Sequence, residues 1–336
     1  MAASPKRATQ RDVARNAGVS QATVSLALGG APSATKAATS ARVLEIAREL
    51  GYAPNRWAQA LRTRRTKTLG VVVPDICNPF FPSLLKGVQS VADTAGYDVI
   101  AINTEGDAER EQRILRWGLE GRVDGIIGVF FTLHAEEFRP LFELGVGVVR
   151  IESGSKKVRD LPIDNLFVDN RAAAAAATRF LLDRGHRRIA MVAGPAGPQA
   201  ERAAGYRMAL AERGLRADIV DGAEFNEVGG REATLKLLAR AVRPTALFAA
   251  NDLMAIGAME ALREQGFAIP GEMAVVGFDD IFVARLVSPG LTTVSQFQYE
   301  IGVAAAETLL HRLRGAAASK GTSREMPYKL IERGSA

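Results

Sequence analysis

The feature that most constrains the fold of this chain is an alternation of apolar runs with amphipathic helical stretches, which begins at residue 69. Strands that alternate with helices in this way form parallel sheets that are covered by helices on both faces. We therefore predict an α/β body made of two doubly wound parallel-sheet halves, each with about four strands. The predicted strands are residues 69–76, 97–103, 125–131, 146–152, 188–194, 218–223, 245–251 and 273–279.

Polar side chains follow several of the predicted strands. In open parallel sheets, ligands bind at the carboxyl ends of the strands, and a cleft between two such halves would bury a small molecule from both sides. Carboxylates, amides and a guanidinium can bracket hydroxyl groups there, while Phe80 or Phe81 can stack on an apolar ring face. The polar candidates are Asp75, Asn78, Glu152, Arg202, Asn251, Asp252, Asp279 and Asp280.

Several of these polar residues have a second interpretation, because Asn and Asp also cap helices well. A cap and a ligand-binding group use the same side-chain oxygens, so the residue types alone do not separate the two roles. For Asp252 and Asp280 we favour capping. For Asn251 and Asp279 the two roles are equally open on the residues alone.

The N-terminal stretch has a different, purely helical pattern. Residues 9–12 fit a capping box, Gly18 supplies a tight turn, and Ser20 can cap a second helix. Residues 29–34 then read as a loop, and a third helix is predicted over about residues 36–50. Two short helices joined by a glycine turn and buttressed by a third form a helix-turn-helix unit.

Charge is distributed unevenly along the chain. Residues 1–67 contain 12 Lys and Arg against 3 Asp and Glu, whereas the remaining residues contain 31 against 34. The whole positive excess therefore lies in the first fifth of the chain, as expected of a nucleic-acid-binding head on a neutral body. Charge alone leaves a solvated basic tail open as the alternative.

Several classes of protein are disfavoured by the sequence. It has no run of about 18 apolar residues, so we expect no membrane-spanning helix. The first ten residues lack the apolar region of a signal peptide, and the single cysteine, Cys77, excludes an internal disulfide. These features favour a cytoplasmic protein.

The sequence also lacks signatures of catalysis. The patterns G-x-G-x-x-G, G-x-x-x-x-G-K-[ST] and G-x-S-x-G are all absent. The three histidines, His134, His186 and His311, do not have the spacing of metal ligands. We expect no catalytic residue, no metal and no cofactor.

Many segments resemble one family in order along the chain. The segment "TQRDVARNAGVSQATVSLAL" resembles the helix-turn-helix of the lactose-repressor (LacI/GalR) family of bacterial transcription regulators, and "ELGYAPNRWAQALRT" resembles its hinge. Blocks such as "GVVVPDICNPFF", "PTALFAANDLMAIGAMEAL" and "MAVVGFDD" resemble its ligand domain. The resemblance extends from about Thr9 to Arg333.

The resemblance implies a helix-turn-helix head, a hinge helix, and a body like periplasmic binding proteins. It places the chain crossings between two subdomains near residues 164–169 and 292–296, and returns the strand "YKLIE" to the first subdomain. The implied boundaries are 1–54 for the head, 55–67 for the hinge and linker, and 68–336 for the body; subdomain one is about 68–166 plus 297–333, and subdomain two about 167–296.

The resemblance also implies partners. Members of the family act as dimers, sometimes tetramers, on pseudo-palindromic operators, and a small effector, often a sugar, lies between the subdomains. No leucine heptad follows Gly315, so we expect a homodimer. The implied function is a ligand-responsive transcriptional regulator, specifically a repressor, that binds double-stranded operator DNA.

Residues of the head and hinge take their DNA-binding roles from the resemblance. Gln21, Ala22 and Leu26 stand where members read bases, although leucine cannot make the bidentate arginine–guanine contact that many relatives use. Leu61 matches the leucine that wedges into the minor groove. The expected DNA-binding residues are Thr9, Ser20, Gln21, Ala22, Thr23, Ser25, Leu26, Asn55, Arg56, Ala58 and Leu61.

The effector site is likewise implied by the resemblance. Arg202, Asn251 and Asp279 would hold the hydroxyls or an acid group of the effector, and Phe80 would supply an apolar wall. The expected effector-binding residues are Asp75, Asn78, Phe80, Phe81, Glu152, Arg202, Phe225, Asn251, Asp279 and Gln296.

Two other functions compete with this interpretation. A dinucleotide-dependent oxidoreductase would also have doubly wound halves, but the missing glycine fingerprint counts against it. A transport-associated sugar-binding protein would share the body, but the missing signal peptide and the basic head count against it.

Overall fold

The structure of the chain is a computed structural model, and it describes residues 8–28, 36–53, 65–155, 160–194, 198–315 and 320–336. Contacts divide the chain into two compact units, residues 1–66 and residues 67–336. No helix within the described ranges has both the length and the hydropathy needed to cross a membrane.

The first unit contains three helices: α1 (Gln10–Ala17), α2 (Gln21–Leu28) and α3 (Ala37–Glu49). The predicted capping box is present, because the Thr9 hydroxyl accepts from the Asp12 amide at 3.3 Å and the Asp12 carboxylate accepts from the Thr9 amide at 3.0 Å. Gly18 ends α1 with a left-handed φ of 63°. The core of this head is small, and its buried residues are Val13, Ala14, Ala17, Val24, Val43 and Ala47.

The first sheet of the second unit has six strands, all parallel, in the order β11-β5-β4-β3-β1-β2. Its strands are β1 (Thr68–Val73), β2 (Asp98–Asn103), β3 (Gly125–Gly128), β4 (Gly147–Glu152), β5 (Ile163–Val168) and β11 (Ser323–Met326). The helices of this part are α4 (Phe80–Thr94), α5 (Ala108–Leu119), α6 (Arg139–Glu143) and α11 (Gln298–Leu313).

The second sheet has four parallel strands in the order β7-β6-β8-β9. Its strands are β6 (Ile189–Ala193), β7 (Ile219–Asp221), β8 (Ala246–Ala249) and β9 (Ala274–Val276). The helices around it are α7 (Asn170–Asp183), α8 (Gln199–Ala211), α9 (Glu227–Leu238) and α10 (Asp252–Glu264). The predicted α/β fold with two doubly wound halves is confirmed.

The last strand lies elsewhere than the sequence predicted. Residues 329–331, in "YKLIE", form β12 (Lys329–Ile331), which pairs antiparallel with β10 (Thr293–Ser295). Beyond it, Ser335 exchanges hydrogen bonds with the backbone of Val275 in the second sheet, at 2.6 and 2.8 Å. The prediction that this strand returns to the first subdomain is therefore wrong.

The physical reason is competition for a sheet edge. The position beside β5 is taken by β11, the run "SREM", whose polar character gave no strand signal in the sequence. The more apolar run that follows β11 pairs with the crossover strand β10 instead.

Candidate functional site

The exposed face of α2 carries the side chains predicted to read DNA. Val24 is fully buried in the core of the head, whereas Gln21, Ala22 and Leu26 are exposed. The Ser20 hydroxyl caps α2 by accepting from the Thr23 amide at 3.1 Å. A regular helix with one face on the core therefore presents its other face to solvent, as a recognition helix requires.

Two contacts hold this face in place. The Gln10 side chain donates to the Gln21 carbonyl at 3.0 Å, which ties α1 to the first residue of α2. The hydroxyls of Ser20 and Thr23 lie 2.9 Å apart. DNA contacts by Thr9, Ser20, Thr23 and Ser25 remain predictions, and the predicted hinge residues 55–61 lie outside the described residues.

The second unit contains a cavity of about 760 Å³ at the carboxyl ends of the strands of both sheets. Its lining follows β1, β2, β3 and β4 on one side and β6, β7 and β9 on the other. Nine of the ten expected effector-binding residues line it, which are Asp75, Asn78, Phe80, Phe81, Glu152, Arg202, Phe225, Asp279 and Gln296. Cavities of this size hold small molecules.

Asn251 is the exception, since it is fully buried and does not line the cavity. Its Oδ1 accepts from the Met254 amide at 2.7 Å and so caps α10. Its Nδ2 donates to the Phe225 carbonyl at 3.0 Å. Of the two roles left open by the sequence, the geometry selects the cap; Asn251 positions the loop that carries Phe225.

Arg202 lies at the base of the cavity and is almost completely buried. Its Nε donates to Asn170 Oδ1 at 2.7 Å, one Nη donates to the Ala250 carbonyl, and the other lies 3.2 Å from Asp279 Oδ1. The guanidinium also stacks 3.8 Å above the ring of Phe278. Burial lowers the pKa of Arg202 despite the neighbouring carboxylates.

Asp279 joins this arginine to the second chain crossing. Its Oδ1 also accepts from Gln296 Nε2 at 2.6 Å, and its backbone amide donates to the Val294 carbonyl at 2.8 Å. Its φ of 123° is a conformation that L-residues rarely adopt, and these contacts over-determine it. Burial raises the pKa of Asp279 to about 6, although Arg202 opposes the shift.

Asp252 and Asp280 do not line the cavity, as expected, but neither is a helix cap. The buried Asp252 carboxylate accepts from the Ile281 amide at 2.9 Å and from the Thr293 hydroxyl. Burial, followed by the charge of Asp279, raises the pKa of Asp252 to about 7. Asp280 forms an ion pair with Arg333 at 2.7 Å. Both carboxylates therefore bind the crossover and C-terminal segments to the second sheet.

The apolar wall of the cavity is larger than the sequence indicated. Phe80 and Phe81 meet edge to face at 5.1 Å, and Phe225 packs so tightly that a Cβ on Gly194 would come within 2.3 Å of its ring. Phe130 and Phe131 complete the wall. Sequence reasoning missed both because it extended the third strand to residue 131, whereas β3 ends at Gly128.

Five polar residues of the lining were also missed: Glu105, Ser153, Asn170, Glu224 and Asn226. Each follows a strand, namely β2, β4, β5 or β7, so the carboxyl-end rule that found Asp75 could have found them. Among the described residues, no group of three or more His, Cys, Asp or Glu could hold a metal ion.

Comparisons with known proteins agree with this architecture. Residues 9–55 match the family described as "Bacterial regulatory proteins, lacI family", and residues 178–336 match the "Periplasmic binding protein-like domain". The ribose operon repressor of Escherichia coli K12 is 36% identical, over 98% of this chain and 100% of that protein. The transcriptional repressor CytR of the same organism is 34% identical, over 98% and 96%.

Solved structures show the same likeness. The lac repressor dimer bound to operator and the anti-inducer ONPF matches with a TM-score of 0.84 and 28% identity, over 98% of this chain and 99% of that chain. A complex of the transcriptional regulator CelR with cellobiose matches with a TM-score of 0.71 and 31% identity, over 98% and 100%. A LacI-family regulator from Enterococcus faecium with bound ribose matches with a TM-score of 0.71 and 27% identity, over 80% and 98%.

Proposed function

The chain belongs to the LacI family of bacterial regulatory proteins, and from this premise we propose how its two units act. It is a ligand-responsive, DNA-binding transcriptional regulator and not an enzyme. We propose that it is a cytoplasmic repressor that binds a pseudo-palindromic operator as a homodimer. A small sugar or sugar derivative in the cavity of the second unit controls that binding.

One observation carries the proposal for the effector. A single cavity is lined by the carboxyl-end loops of both sheets, with phenylalanine rings on its walls and hydrogen-bonding groups at its base. Sugars present hydroxyls at their edges and C–H groups on their ring faces, so they match both kinds of wall. Cellobiose and ribose occupy two of the structural relatives, which supports the same class of ligand here.

The exposed face of α2 supports the proposal for DNA. Gln21 and Ala22 lie at the start of the helix, where recognition helices contact base edges. Arg11, Arg15 and Arg42 are exposed on the same unit and can neutralise phosphates. Gln21 is the only one of these five side chains that can both donate to and accept from a base edge, so we assign it the main base-reading role.

Exposed apolar side chains support the homodimer. β2 forms an edge of the first sheet, and Ile100 on it is 40% exposed, next to a groove lined by Leu85, Val99 and Tyr299. In the second half of the body, Leu286 is 68% exposed. An unprotected apolar sheet edge is a pairing surface in a soluble protein, and a second copy of the chain would cover it.

The hinge connects the two activities in this proposal. Closure of the cavity around an effector shifts the first subdomains of a dimer relative to each other and thus changes the population of folded hinge helices. Leu61 wedges between base steps at the operator centre, where a flexible pyrimidine–purine step such as CG lowers the cost of unstacking.

Leu61→Ala tests this mechanism. An operator is first selected from random duplexes with the wild-type protein, and both proteins are then titrated against that operator and a scrambled duplex. We expect the binding free energy of the variant for the operator to weaken by a few kcal/mol, which is also about the cost of unstacking one base step. Its binding to the scrambled duplex should change little. Leu44→Ala removes an exposed leucine from α3 and serves as the matched control.

Equal losses on both duplexes would refute the wedge role of Leu61. Failure of the wild-type protein to enrich any sequence would refute operator recognition as such. If ribose or cellobiose altered operator binding of the variant as much as that of the wild type, the hinge would not be the coupling element.

A further inference from the structure

Many more acidic than basic side chains line the cavity. Arg202 is the one cationic residue among the described residues that line it. Five carboxylates line the same cavity, those of Asp75, Glu105, Glu152, Glu224 and Asp279.

The positive charge of Arg202 is already matched within the protein. Its guanidinium faces Asp279 and is further bound by Asn170 and a backbone carbonyl. Both members of this pair are nearly completely buried. A ligand anion at this position would meet a neutral pair, and it would have to compete with a carboxylate that Gln296 and the crossover hold in place.

Two further carboxylates of the lining form ion pairs with arginines that lie outside the lining. Glu105 meets Arg110 at 2.7 Å, and Glu152 meets Arg150 at 3.0 Å. Each arginine and its carboxylate together form a neutral pair, and neither arginine lines the cavity.

Asp75 and Glu224 are left, and neither has an ion-pair partner among the described residues. Asp75 accepts from the Cys77 amide at 2.9 Å, and Glu224 accepts from the Asn226 side chain. Asp75 follows β1 of the first sheet and Glu224 follows β7 of the second. The two sheets therefore each contribute one unpaired carboxylate to the lining of the cavity.

The helix N-termini around the cavity do not restore a site for an anion. Asn78 Oδ1 accepts from the Phe80 amide at the start of α4, and Asp169 accepts from the Ala172 amide at the start of α7. Asn226 caps α9 in the same way. α8 has Glu201 in its first turn. At the starts of α4, α7 and α9 the protein's own oxygens thus accept from amides that would otherwise attract phosphate or carboxylate, and at the start of α8 the Glu201 carboxylate opposes a bound anion.

From these observations we infer that the effector is an uncharged or cationic sugar derivative, and that the cavity rejects phosphorylated and carboxylated sugars. The inference rests on the proposed function and narrows it. An anionic ligand would lose its hydration without gaining a free cation from the described lining, and it would face two unpaired carboxylates. Hydroxyl or ammonium donors would instead form charge-assisted hydrogen bonds with Asp75 and Glu224.

Calorimetric titration of the full chain with matched probes tests the inference. The probes are ribose and ribose 5-phosphate; glucose, glucosamine, glucose 6-phosphate and gluconate; and adenosine with AMP. We expect an uncharged or amino compound to bind at least about tenfold tighter than the phosphorylated or carboxylated compound with the same skeleton.

The variant Asp75→Asn/Glu224→Gln identifies the source of the discrimination. We expect it to narrow the ratio between neutral and phosphorylated affinities severalfold, and to weaken any preference for glucosamine over glucose. Asp183→Asn is the matched control, because Asp183 is the last residue of α7 and lies about 20 Å along that helix from the end at the cavity. The control should leave the ratio unchanged.

The possible failures are distinguishable. If a phosphorylated or carboxylated probe binds as tightly as its neutral partner, this inference is overturned while the proposed function stands. An unchanged ratio in the double variant also overturns it, because discrimination would then not come from these carboxylates. If no probe of any charge binds, the sugar-derivative class fails, and the proposed function fails with this inference.

Discussion

The exposed face of α2 and the base of the cavity differ in how far their side chains are buried and bonded to the rest of the protein. Gln21, Ala22 and Leu26 are exposed on a regular helix, and none of the hydrogen bonds described above involves their side chains. Arg202 and Asp279 are buried, and each holds distant segments together as well as facing the cavity. The DNA-reading role proposed for α2 is therefore separable from stability, whereas the effector-binding role proposed for Arg202 and Asp279 falls on side chains that also stabilise the fold.

The largest test of this contrast is Arg202→Ala. The variant leaves the Asp279 carboxylate buried without its cation, so we expect a loss of about 3–5 kcal/mol in the free energy of unfolding. Binding of an effector should be lost with it. Denaturant unfolding of the wild type and the variant measures the change, and Arg207→Ala, at an exposed position of α8, is the control.

A second variant separates lost charge pairing from lost packing. Arg202→Met/Asp279→Asn removes both charges, so it should recover a large part of the stability that Arg202→Ala loses. If Arg202→Ala proves as stable as Arg207→Ala, the two regions do not differ in the way we describe.

The next effect is a pH dependence caused by Asp252, which is buried in the second unit and does not line the cavity. The folded-state pKa of Asp252, about 7, lies above the ordinary aspartate value of 3.8. The protonated carboxyl therefore contributes stability that is fully present below about pH 4 and is lost as pH rises through about 7. Asp252→Asn cannot ionise, so the wild type should lose stability relative to this variant between pH 5 and pH 8.

Unfolding free energies of both proteins at pH 5, 6, 7 and 8 provide the measurement. We expect a difference of up to a few kcal/mol across this interval, given one pKa unit per 1.36 kcal/mol. Parallel pH profiles would show that Asp252 keeps its charge at neutral pH in the folded protein.

Gln21→Ala tests the exposed face of α2. We expect it to reduce discrimination at one or two positions of each half-site by about 1–3 kcal/mol. Stability should change by no more than about 0.5 kcal/mol, because the side chain is exposed. Arg11→Ala is the comparison variant, since it should weaken binding to all duplexes alike and reduce the salt dependence. Uniform weakening by Gln21→Ala would remove it as a base reader.

The smallest effect concerns the capping box, which is structural but local. Thr9→Ala removes the hydroxyl that accepts from the Asp12 amide, so we expect a loss of about 1 kcal/mol in the stability of the head. Hydrogen exchange of amides in α1 measures it, and exchange in the second unit should not change. Thr9→Ser retains the hydroxyl and should restore protection; otherwise the cap is not the cause.

Part of the site was predictable from one rule. Of the eight polar residues that follow predicted strands, five line the cavity: Asp75, Asn78, Glu152, Arg202 and Asp279. The phenylalanines Phe80 and Phe81 were expected as an apolar surface, and Phe225 and Gln296 were expected from the resemblance. The rule did not predict that Asn251 is used as a cap, because that depends on the Phe225 loop, 26 positions away along the chain. Phe130 and Phe131 were missed because an apolar run does not reveal where its strand ends.

The sequence by itself determined the features that depend on near neighbours along the chain. These include the capping box of residues 9–12, the glycine turn at Gly18, the basic head and the alternation of strands with helices. Only the tertiary structure decided which edge β12 joins, and that Arg202 meets Asp279 across 77 positions. Local patterns repeat with the period of a helix or strand, whereas such long-range contacts follow from how whole elements pack, and no short spacing in the sequence encodes them.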